Sequence, residues 1–106
     1  MDKYSLGTKP ETNQKNKKMA SQDVLTKLKS FVESISEELY QLSLGIHSHP
    51  ELGFQEHYAS EHLSNYLEDK GFKTTRNAFG LETAFVGEWT SPYKTGKELT
   101  IGFVSE

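Results

Sequence analysis

Three histidines and two glutamates fall within the eleven residues His47–His57, "HSHPELGFQEH". Such a density of imidazole and carboxylate raises two chemistries, metal binding and acid–base work. On an extended segment residues i and i+2 face the same way, so His47 and His49 could meet one ion. Glu51 or Glu56 could add an oxygen. A catalytic zinc takes about three protein ligands, however, and this stretch offers no well-spaced third. The other reading is architectural: the histidines donate hydrogen bonds to backbone carbonyls and steady a bend. We read the stretch in this second way. His57 and His62 stand five apart, which does not align them on a helix as i and i+4 would.

Other candidates are weaker. Ser43, Ser48, Ser60 and Ser64 are available as nucleophiles, but none lies in a G-x-S-x-G elbow. Gly80 and Gly87 do not make a phosphate-binding loop. Tyr58, Tyr66, Phe72, Phe85 and Trp89 read as core or sheet aromatics, because a stacking platform for single strands wants interleaved basic residues. From the residues alone no complete active site is assembled. No residue is assigned as catalytic, cofactor-binding or metal-binding.

The elements that would position this stretch follow from periodicity. Val24, Leu25, Leu28, Phe31, Val32, Ile35, Leu39 and Leu42 recur at helical spacing, predicting a helix with one core-facing side. Ser21 or Asp23 can cap its start, and Gly45 is a plausible stop. Pro50 restricts His49 to extended geometry, and Gly53 permits a turn, so "HSHPELG" is expected to be a short rigid bend. A second helical stripe, Tyr58, Ala59, His62, Leu63, Tyr66 and Leu67, begins near Gln55 and stops at Gly71. Glu56 in its first turn suits the helix dipole. The period then changes. Phe72–Arg76 and Thr83–Trp89 read as strands, Thr90–Glu98 as a turn around Pro92 and Gly96, and Leu99–Ser105 as a strand buried on both faces. The expectation is a partial α/β fold: two helices followed by three strands, the start of a layered domain. A buried strand at the last residues, ending at Glu106, suggests a fragment.

Composition narrows the classes. The 106 residues carry a net charge of −3 and no cysteine. There is thus no disulfide framework or thiolate metal site, and no bulk positive charge for nucleic acid. No apolar run approaches a membrane span, and we expect a cytoplasmic protein without membrane or nucleic-acid partners. Charge is uneven: residues 1–22 hold five lysines against Asp2 and Glu11, a net of +3, leaving −6 for the remainder. "KPETNQKNKK" has no aliphatic residue to offset the entropy of ordering, so residues 1–22 are expected to be a disordered basic tail before an ordered part at 23–106.

The run "IHSHPELGFQEHYASEHLSNYLEDKGFKTT" resembles the N-terminal portion of the metal-dependent aminoacylase, carboxypeptidase and amidohydrolase family, metallopeptidase family twenty. Its amidohydrolase branch opens with a helix, then His-x-x-Pro-Glu-Leu-x-x-x-Glu, a second helix and a Gly-aromatic strand start. Those positions are His47, Pro50, Glu51, Leu52, Glu56, Gly71 and Phe72. "LETAFVGEW" and "LTIGFVSE" resemble the segment that precedes an Asp-Ala-Leu-Pro motif. Thr83-Ala84-Phe85 with Glu88-Trp89 looks most like the dipeptidase subgroup acting on Xaa-Arg and β-alanyl-lysine peptides. The resemblance covers roughly residues 24–106.

This resemblance implies a hydrolase of small amide or peptide substrates, dipeptides or N-acyl amino acids, with zinc or another divalent metal and possible homodimers. A metal-bound water attacks the amide and a glutamate acts as general base. Those parts belong to segments after the Asp-Ala-Leu-Pro position. The resemblance therefore assigns no ligand or base here, and implies no cofactor and no activity for the 106 residues alone. A second class of function is a non-catalytic truncated paralogue that pairs with a partner through its exposed last strand.

Overall fold

The computed structural model describes the backbone of residues 2–106 and the side chains of residues 21–106. Two helices are followed by a small antiparallel sheet, a partial α/β arrangement. The chain divides into two compact units, one ending at Gly45 and one running from Ile46 to Glu106. No helix among the described residues is long and apolar enough to cross a membrane.

The first unit is dominated by helix α1, Asp2–His47. Its start lies within the segment expected to be a disordered tail, well before the expected caps. Between Gln14 and Ala20 lysine, glutamine, methionine and alanine are good helix formers, and extending an existing helix orders only one residue per added hydrogen bond. Asp23 is therefore not a cap. It lies inside the helix and pairs with Lys27 one turn on, at 3.1 Å on the exposed face. The apolar stripe forms at helical spacing and is largely exposed among the described residues, with Ile35 and Leu42 half-buried. Val24, Leu25, Leu28, Phe31 and Val32 all remain more than half exposed. Spacing says which face a partner would cover, not that a partner is at hand. Gly45 is helical as well, and α1 ends two residues later at His47.

The second unit holds helix α2, His57–Asp69, and strands β1, Lys73–Arg76, and β2, Phe85–Glu88. The strands pair antiparallel with Lys73 opposite Glu88, Thr74 opposite Gly87, Thr75 opposite Val86 and Arg76 opposite Phe85. α2 packs against both strands. Its end follows from Gly71, whose φ of +93° is open to glycine at little cost. The Gly71 N–H donates to the Glu68 carbonyl and the Phe72 N–H to the Leu67 carbonyl, each at 3.0 Å. These two bonds satisfy carbonyls that the helix would leave open, and they aim the chain into β1. Gly87 then lets β2 approach closely: a Cβ there would meet Leu67 Cδ1 at 2.8 Å and Phe72 Cδ1 at 3.7 Å.

The link between the strands contains a short 3₁₀ turn, Ala78–Gly80; Asn77, which precedes it, and Phe79 within it have positive φ. Ala78 is buried, and its N–H reaches the Ala84 carbonyl at 3.0 Å. Residues 90–98 form the expected irregular turn. Within it Glu98 accepts from the Thr95 and Gly96 N–H groups at 2.7 and 2.9 Å. The third strand does not form. Leu99, Ile101, Phe103 and Val104 are in no strand and are 74–94% exposed. A strand with two apolar faces needs neighbours on its edges and layers above and below, and among the described residues 99–105 have no strand partner.

Candidate functional site

The bend that leads into α2 is built around Glu51. One carboxylate oxygen accepts from the Tyr58 N–H at 2.8 Å, the other from the Ala59 N–H at 3.0 Å. The first N–H groups of a helix have no partner within it, and the positive end of its dipole favours a carboxylate. Glu51 thus caps α2 from across the bend. The residue at the conventional cap position, Glu56, makes no such bond with its side chain. Partial burial works to raise the Glu51 pKa. The N–H groups of Tyr58, Ala59 and His57, with the nearby His57 ring, outweigh it and hold the carboxyl below the usual glutamate range.

Between Glu51 and the helix the chain must turn, and the left-handed residue is Phe54, with φ of 64°. Gly53, expected to carry the turn, does not have positive φ. The Gln55 N–H closes the turn onto the Leu52 carbonyl at 2.9 Å. A four-residue turn with positive φ at its third residue is of type II, and from Leu52 to Gln55 that residue is Phe54. The carboxylate of Glu56 points elsewhere, accepting from the Thr83 hydroxyl at 3.2 Å. That bond ties the helix start to the chain entering β2.

The histidines are brought together only in part. His49 stacks on Tyr58 with ring centroids 3.8 Å apart, and His62 stacks on Tyr58 at 3.7 Å. Two rings that close to one phenol must lie on its opposite faces. His49 and His62 therefore cannot share an ion. His62 Nδ1 lies 2.8 Å from the Tyr58 carbonyl, which can only accept, so Nδ1 carries the proton. A histidine-to-carbonyl bond of the expected kind is made by His62, on the helix. His49 Nδ1 instead meets the Ser48 hydroxyl at 3.1 Å. His47 ends α1 and is exposed. His57 begins α2 and borders an open depression with Ser60, Glu61, Asn65, Arg76, Asn77 and Glu82.

Zinc does not fit this donor set. Among the described residues no three histidine or acidic side chains converge as metal ligands. Both Glu51 oxygens are committed to backbone N–H groups. Ser64, fully buried, gives its hydroxyl to the Glu61 carbonyl at 3.1 Å. The arrangement can hold a helix start rigidly.

A second polar cluster was not legible as a site. Arg76 on β1 bonds Glu68 at 2.6 Å and Asn65 at 2.7 Å, both on α2, and the Thr74 hydroxyl also donates to Glu68. The Arg76 bond and then the Thr74 bond lower the Glu68 pKa against the opposing effect of desolvation. The signal was present in the spacing. Thr74 and Arg76 share a strand face at i and i+2, and Asn65 and Glu68 share a helix face at i and i+3. Knowing that these faces meet required the fold.

Comparison with known proteins adds one likeness. Over 68 residues the chain is 29% identical to one of the subunits of p-aminobenzoyl-glutamate hydrolase from Escherichia coli (strain K12). The match covers 64% of this chain and 14% of that protein. The chain thus resembles part of a hydrolase polypeptide, which is consistent with the amidohydrolase and peptidase family suggested by His47 to Phe72. The likeness does not extend to the Xaa-Arg and β-alanyl-lysine subgroup. No family model matches the chain, and no solved structure matches it significantly.

Proposed function

We propose that these residues form the N-terminal scaffold of a metal-dependent hydrolase that cleaves the amide bond of small substrates. The observation that carries the reading is the likeness to part of a hydrolase. The geometry supports it: Glu51, the glutamate of the His-x-x-Pro-Glu bend, is spent on holding α2 and not on chemistry. In this reading the substrate is a dipeptide or an N-acyl amino acid. p-Aminobenzoyl-glutamate, the compound in the relative's name, is itself an acylated amino acid. Zinc or another divalent ion is bound by segments other than those described, in a cytoplasmic protein able to form homodimers. The dipeptidase subgroup remains part of the proposal through Thr83-Ala84-Phe85 and Glu88-Trp89.

The test begins with the coding sequence after the Glu106 codon. An in-frame Asp-Ala-Leu-Pro followed by a histidine- and cysteine-containing segment is expected. The longer chain would then be expressed and assayed on p-aminobenzoyl-glutamate, an N-acyl amino acid and β-alanyl-lysine, with zinc or manganese and with a chelator. Chelator-sensitive turnover is the expected result. Turnover and tight metal binding by the 106 residues alone, abolished by His47→Ala and His49→Ala, would overturn the scaffold reading.

A further inference from the structure

We draw no further inference here: the strongest candidate, the exposed apolar run Leu99–Val104 that follows the two-stranded sheet, carries nothing because nothing in the structure shows what covers it.

Discussion

Glu51 is the residue on which the bend turns, and its role makes a pH prediction. Its folded pKa is depressed, so its contribution to stability is fully present above the unfolded glutamate value of about 4.3 and is lost as pH falls through the lower folded value. Glu68, held low chiefly by Arg76, acts in the same direction. Glu51→Gln should therefore flatten the acid limb of a stability-versus-pH curve measured by circular dichroism. At neutral pH it should speed amide exchange at Tyr58 and Ala59, whose N–H groups lose a charged acceptor. An unchanged acid limb together with unchanged exchange at those two amides would show that the carboxylate does not cap α2. The glycines give a second residue-scale test. Gly71 has φ of +93°, whereas at the bend the positive φ belongs to Phe54. Gly71→Ala should cost about 1–3 kcal/mol in chemical denaturation. Gly53→Ala should be nearly neutral. Phe54→Gly should be neutral or stabilising by up to about 1 kcal/mol, since Phe54 is 79% exposed and gives up little packing. The reverse order at Gly53 and Phe54 would restore glycine as the turn residue.

Elements meet where β2 crosses α2. The missing side chain at Gly87 leaves room for Leu67, and a Cβ would stand 2.8 Å from Leu67 Cδ1. That atom is the tip of a side chain able to rotate. Gly87→Ala is expected to be close to neutral, because the shift of Leu67 is offset by about 0.4–1 kcal/mol from a less flexible unfolded chain. Gly87→Val carries two further methyls into the same space and should cost about 1–3 kcal/mol. Denaturant midpoints of the two variants check this, and equal stability of both would mean that α2 does not pack closely on β2. The strands themselves were legible from apolar and β-branched content. Their ends were not: β1 loses Phe72 and β2 is confined to Phe85–Glu88. Phe72 instead gives its N–H to the glycine-terminated end of α2, a use of the backbone that no strand pattern reveals.

For the molecule as a whole, the informative fact is how little is buried. Among the described residues only Ser64 and Ala78 are buried, while Leu99, Phe103 and Val104 are about nine-tenths exposed. Hydrophobic burial is the main favourable term in folding, and with so little of it the balance against chain entropy is narrow. The 106 residues on their own are expected to unfold over a broad range of denaturant, with a slope below the usual span of about 1–3 kcal/mol/M in urea. They should also bind a hydrophobic dye strongly, and removing residues 99–106 should reduce that binding. A steep cooperative transition without dye binding would contradict the exposure of this segment.

Local features were legible in the residues alone. Apolar spacing of three and four marked both helices, Gly71 marked the end of α2, and Pro50 with Gly53 marked the bend, although the positive φ there falls on Phe54. Each depends on backbone geometry within one turn or one pleat, which neighbouring residues dictate. Tertiary structure decided the rest. Glu51 finds N–H groups seven and eight positions on, Thr83 finds Glu56 across 27 positions, and Arg76 finds Asn65 across eleven. His49 and His62, candidates for chemistry as residue types, end on opposite faces of Tyr58. Which polar groups meet is set by where the chain turns and how closely α2 lies on the sheet. That is a property of packing, and residue spacing along the chain does not encode it.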